Sequence, residues 1–227
     1  MLPLKDEQPV RSFPIVNYAL IAINILVFIW QISLPNPDQA YQFALIPAQV
    51  TSGLTTAAFL HIFTSMFMHG GLAHISGNML YLWIFGDNVE DAMGHGRYLF
   101  FYLLGGFLAS AAHILSNPTS EVPTVGASGA IAAVLGAYLI LFPRARVLTL
   151  IALGFFIRLS LIPASIVLGL WFLLQLVQGV LSLGMQAGLG GVAFWAHIGG
   201  FVTGLLLGRV LGRRSSRYDD IVSRRSF

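Results

Sequence analysis

VPTVGASGAIAAVLGAYLILFP, residues 122–143, decides how this chain is read. Thr124–Phe142 is apolar enough to sit in a bilayer, yet it opens on Gly126-Ala127-Ser128-Gly129, a small-residue turn that presents one hydroxyl. A membrane span needs about 20 mostly apolar residues, within a range of about 17–25. Six segments come close: Phe13–Ser33, Leu72–Phe85, Tyr98–Leu115, Thr124–Phe142, Ala164–Leu183 and Phe194–Leu211. The second is short and contains His74 and Asn78.

Composition agrees. Of 227 residues, 56% are hydrophobic and 9% charged, and mean hydropathy is +0.79. A soluble domain carries about 25% charged residues. The lipid bilayer is therefore the first partner implied. The net charge of +3 comes from basic residues that are thinly spread beside apolar runs, so they read as topology signals and not as a nucleic-acid surface. The absence of cysteine excludes disulfides, thiolate chemistry and Cys-based metal sites. The N-terminal MLPLKDEQPVR balances its basic residues with Asp6 and Glu7, and no A-x-A site follows, so the first span is expected to be retained.

A seventh apolar run, Val147–Ile157, is too short to span and is closed by Arg158 and Pro163. It is expected at the interface or as a shallow excursion. With six spans, all 12 Lys and Arg, from Lys5 and Arg11 to Arg224 and Arg225, fall on one side. The positive-inside rule then makes both termini cytoplasmic. The expected class is an all-α membrane protein, a six-helix bundle over 13–211. A cytoplasmic segment, 1–12, precedes it and a basic cytoplasmic tail, 212–227, follows. The loop Leu34–Gly71 is expected to be partly helical and partly sunk in the outer leaflet.

Polar side chains inside spans are functional candidates by default. Spans 2, 4 and 6 all run from outside to inside in this topology. Ser128 and His197 each lie about one turn into their spans, and His74 and Asn78 lie near the outer end of theirs. Four reactive side chains thus share one level. Ser128, Ala132 and Gly136 share a helix face, and Ala196, Gly200, Gly204 and Gly208 form a stripe that His197 borders. Small residues at such spacing let helices pack closely in lipid. Contact between spans 4 and 6 would bring Ser128 towards His197.

These residues resemble the rhomboid family of intramembrane serine proteases. Gly126-Ala127-Ser128-Gly129 matches its GxSG motif, and Ala196-His197 with Gly200 and Gly204 is similar to its AHxxGxxxG motif. His74-Ile75-Ser76-Gly77-Asn78 matches its HxxxN motif. FTSMFMHGG before that motif and GDNVEDAMGHGRYLFFYLLGG after it are similar as well, so the resemblance runs from about Ile15 to Leu211. It implies a serine endopeptidase that cleaves membrane-spanning substrates. Ser128 would be the nucleophile and His197 the general base, then the general acid. Asn78, His74 and the Ser128 backbone N–H would stabilise the oxyanion, and Gly126 would leave room for the scissile carbonyl. No cofactor or metal is implied. The expected place is a prokaryotic plasma membrane, with the site opening to the extracytoplasmic side.

No Asp or Glu lies within the six spans, so the residues allow a dyad and not a triad. Two positions depart from the family pattern. Leu60-His61 stands where some members carry Trp-Arg, and Ala132 stands where an aromatic often stacks on the histidine. An aromatic from span 2 or 5 is the expected substitute. His113 is an alternative base near the outer end of span 3, weighed against an interfacial role. A zinc site from His61, His69 and His74 lacks groups that would orient its ligands. The rival function is a non-catalytic relative that binds client helices, and such proteins are expected to lose the serine or histidine.

Overall fold

The computed structural model describes residues 1–153, 156–182 and 192–212. The expected basic tail from Gly212 therefore lies almost wholly outside the described residues. The chain begins with a strand, β1 (Leu2–Asp6), and continues into α1 (Ile15–Ser33). The loop that follows carries α2 (Pro47–Ser52) and α3 (Thr56–Thr64), flanked by 3₁₀ turns. Then come α4 (Leu72–Met93), α5 (His95–Ser116), α6 (Ser128–Leu141), β2 (Arg146–Leu153), β3 (Phe156–Pro163), α7 (Ala164–Ser182) and α8 (Phe194–Leu211).

By length and composition, α1, α5, α7 and α8 are able to cross a membrane. α4 has 22 residues but ends in Asp87, Glu90 and Asp91, and α6 has only 14. The short helix is the central one. Every residue of α6 from Gly129 to Tyr138 is buried, packed among α8, α5 and α4. The α6–α8 seam explains how. A Cβ built at Gly204 would overlap the Ala133 carbonyl oxygen, and one at Gly136 would overlap that of Phe201. The two backbones touch, so small residues are obligatory at the seam.

The all-α expectation is corrected at one end of the bundle. The described residues of Val147–Ile157, a run expected at the interface or as a shallow excursion, belong to β2 and the start of β3, which pair antiparallel. The N-terminal segment adds β1 on the other side of β2. The composition of β2, RVLTLIAL, favours a strand, and Val147 and Thr149 alternate inward. Pro3, which has no N–H to give a ladder, sits on the edge strand beside a register shift between Pro3 and Lys5.

The same end is tied by carboxylates. Glu90, fully buried, accepts from the N–H groups of Val16 and Asn17 at 3.0 and 2.7 Å, covering free donors at the start of α1. Asp91 accepts from the Ser12 backbone and hydroxyl. Asp6 Oδ2 accepts from Tyr138 Oη at 2.7 Å and from Asn88 Nδ2 at 3.0 Å, locking β1 onto α6 and α4.

Burial raises the Asp6 carboxyl to about 7. The Tyr138 hydrogen bond partly offsets this, and nearby Asp87 adds to it. A folded-state value above the unfolded 3.8 means the folded form holds its proton longer, so stability is lost as pH rises from about 4 to about 7. Amide-exchange protection at Glu7, whose N–H donates to the Arg146 carbonyl, is expected to fall between pH 5 and pH 8. In Asp6→Asn, which keeps an acceptor for Tyr138, protection should stay level. Equal pH dependence in the two proteins would rule Asp6 out as the titrating group.

Candidate active site

At the opposite end, the approach to α6 builds a cavity of about 1090 Å³. Thr124 pairs with Leu45 in an isolated bridge, and Gly126 donates to the Ser65 carbonyl at 2.9 Å. Gly126 has φ +135°, a conformation that a side chain strongly disfavours. The point its missing Cβ would occupy lies 2.9 Å from His74 Nε2 and 3.5 Å from Ser128 Oγ. The backbone then enters α6 with Ser128 as its first residue. The first helical N–H groups have no carbonyl one turn back, so they present a positive end to the cavity.

Ser128 Oγ lies 2.8 Å from His197 Nε2, joining α6 to α8. His197 Nδ1 lies 2.7 Å from Gln175 Oε1 on α7. The Trp171 ring, one turn earlier on α7, sits 5.8 Å from the imidazole at 35°. Ala132 is fully buried and faces the position of Gly200, so the aromatic that flanks the histidine comes from α7 and not from α6. The four side chains that sequence depth placed at one level, Ser128, His197, His74 and Asn78, all line this cavity.

His74 Nδ1 accepts from the Gly70 N–H at 3.3 Å, which places the neutral ring's proton on Nε2, the atom beside Gly126. Asn78 lies one turn further along α4 and is buried, and its Nδ2 has no partner among the described residues. His69 packs 5.1 Å behind His74. Burial, then the neighbouring His74, pushes its imidazole down to about 4, so it is neutral at neutral pH. Its backbone is clamped by Gln31, whose amide exchanges hydrogen bonds with the His69 N–H and carbonyl. His61 packs edge-on to Phe43, and Thr64 Oγ1 donates to the Phe43 carbonyl. These contacts brace the loop where Leu60-His61 replaces Trp-Arg. His113 Nε2 is engaged by Thr124 Oγ1 at 3.1 Å.

A hydroxyl bonded to an imidazole, an unpartnered amide and a helix N-terminus lining one cavity is an arrangement suited to acyl transfer. The model of the Rhomboid domain matches residues 56–214. The chain belongs to the rhomboid family. It is 28% identical over 199 residues to Rhomboid protease GluP of Bacillus subtilis, covering 88% of this chain and 35% of that protein. It is 29% identical over 198 residues to Rhomboid protein 1, mitochondrial, of Saccharomyces cerevisiae, covering 84% and 51%. It is 35% identical over 150 residues to RHOMBOID-like protein 4 of Arabidopsis thaliana, covering 63% and 32%. The chain thus spans between a third and about half of these relatives' lengths.

In this rhomboid domain, sequence reasoning missed Gln175. The signal was present. Gln175 and Gln178 are the two amides in an otherwise apolar helix, ASIVLGLWFLLQLVQGVLS. Polar groups inside a span are functional candidates.

Proposed function

We propose that the chain is an intramembrane serine endopeptidase, cutting membrane-spanning segments of other proteins with a Ser128–His197 dyad. The observation that carries this reading is the 2.8 Å contact between Ser128 Oγ and His197 Nε2, in the cavity that Gly126 also lines. A substrate carbonyl placed there would meet the hydroxyl as nucleophile. His197 Nε2 takes the Ser128 proton as the Oγ–carbon bond forms. The oxyanion is held by the Ser128 N–H, by His74 Nε2–H and by the Asn78 amide. His197 then passes its proton to the leaving amine, and water from the cavity hydrolyses the acyl-enzyme. A helical substrate must unwind first, because its own hydrogen bonds shield its carbonyls.

The reading includes six spans, with α4 and α6 counted among them and both termini on the cytoplasmic side with the basic residues. The cavity then opens on the extracytoplasmic face. The proteolytic unit is taken as 13–211, and substrates arrive laterally from the bilayer. A prokaryotic plasma membrane was the expectation from sequence. Since the relatives include mitochondrial proteins, the family likeness supports a membrane setting without selecting that one.

The test is a fluorophosphonate probe on the purified protein, with peptide mapping, alongside cleavage of a single-span substrate in liposomes. Labelling is expected on the Ser128 peptide. His197→Ala is expected to lose both labelling and cleavage while keeping its fold. Full activity in His197→Ala would transfer the base role to His113. A protein that captures single-span helices but neither labels nor cleaves would instead be the client-binding relative.

A further inference from the structure

We propose that Gln175 is the positioning residue of the dyad, selecting the tautomer and ring orientation that make His197 a base. This inference rests on the dyad reading above. It starts from a requirement of proton chemistry. For Ser128 Oγ–H to donate to Nε2, that nitrogen must be bare, so the neutral ring must carry its proton on Nδ1. Gln175 Oε1, 2.7 Å from Nδ1, is placed to accept that proton's hydrogen bond. An imidazole held at both nitrogens, 2.8 Å on one side and 2.7 Å on the other, cannot turn without losing both bonds. Trp171 covers one flank of the ring.

In a serine triad, the third member is a carboxylate that fixes the tautomer and stabilises the imidazolium. The described lining of this cavity contains no Asp or Glu. The amide provides the fixing function without placing a net charge inside an apolar bundle, where desolvation is costly. Once His197 has taken the Ser128 proton, the Nδ1–H···Oε1 bond becomes charge-assisted and strengthens, so it favours the charged intermediate over the resting state. Gln175 touches neither substrate nor the reacting atoms. Gln178, the other amide of α7, also lines the cavity, but it is Gln175 Oε1 that lies 2.7 Å from Nδ1.

Three variants test this in the full chain. In a triad, an amide that turns its N–H towards Nδ1 imposes the wrong tautomer and costs about 10⁴-fold, whereas removing an acceptor oxygen only frees the ring, so Gln175→Leu is expected to lower kcat by about 10–100-fold with KM nearly unchanged. Gln175→Glu presents an oxygen at the same reach and is expected to restore kcat to within a few-fold of the parent. Gln175→Asn, one methylene short, should behave like the leucine variant. The nitrogen-15 spectrum of His197 should show Nδ1 protonated in the parent and in Gln175→Glu, and a mixture of tautomers in Gln175→Leu. Parental kcat in Gln175→Leu, or equal losses in leucine and glutamate variants with an unchanged tautomer, would overturn the proposal. Ser128→Ala run in parallel separates the two readings. If that variant still cleaves, the dyad itself fails, and if it is inactive while Gln175→Leu is fully active, only the role of Gln175 fails.

Discussion

Replacing Ser128 with alanine is expected to abolish cleavage of a single-span substrate, by about 10⁴-fold or more, and to leave the fold intact. The activity loss follows because the cavity offers no second nucleophile at this position. Beside Gly126 the cavity presents the Ser128 hydroxyl and the His74 ring, and a His74 ring whose Nδ1 accepts from Gly70 has no free lone pair at Nε2. The fold should survive because, among the described residues, the hydroxyl bonds to His197 alone, so its removal, which leaves the buried His197 Nε2 unpaired, costs about 1–3 kcal/mol. Ser128→Ala combined with His197→Ala should be no worse than either alone, since members of one catalytic unit are not additive. Cleavage rates in liposomes and thermal unfolding of the three variants check this. Substantial cleavage by Ser128→Ala would remove the nucleophile assignment.

The second large effect is expected at Gly204. Gly204→Ala places a methyl against the Ala133 carbonyl and 2.8 Å from both the Ala133 carbonyl carbon and the Ala137 nitrogen. These are backbone atoms of α6 and cannot rotate aside, so α6 and α8 must separate. A loss of about 2–3 kcal/mol is expected. Because Ser128 and His197 sit on those two helices, cleavage should also fall by 10-fold or more, as misplacement of reacting groups by about 1 Å can cost 10²-fold. The same substitution at Gly169 on α7 is the control. Nothing lies within 4 Å of a Cβ there, and alanine's helix propensity is better by about 1 kcal/mol, so Gly169→Ala should be neutral or stabilising. Equal behaviour of the two variants in thermal unfolding would contradict a close-packed seam.

What the sequence determined is what short-range periodicity and composition carry. A 3.6-residue repeat with a fixed rise puts Ser128, His197, His74 and Asn78 at one depth, and an i, i+4 spacing of small residues marks the faces of α6 and α8 where backbones can meet. The distribution of Lys and Arg, one-sided if six spans are counted, is legible in the same way and is the basis of the proposed topology. Tertiary structure decided the rest. β1 pairs with a strand more than 140 residues later, a contact that no local pattern specifies, so an apolar run expected at the interface or as a shallow excursion supplies the central strand of a sheet. The bracing of His197 depends on where α7 lies against α8, and Gln175 becomes meaningful only once its amide is 2.7 Å from Nδ1. Likewise, a lone alanine at 132 leaves open what flanks the ring, and the approach of Trp171 from another helix answers it. Depth along a helix is a property of its own residues. Distance across the bundle depends on every helix at once, and the Ser128–His197 contact is a statement about distance.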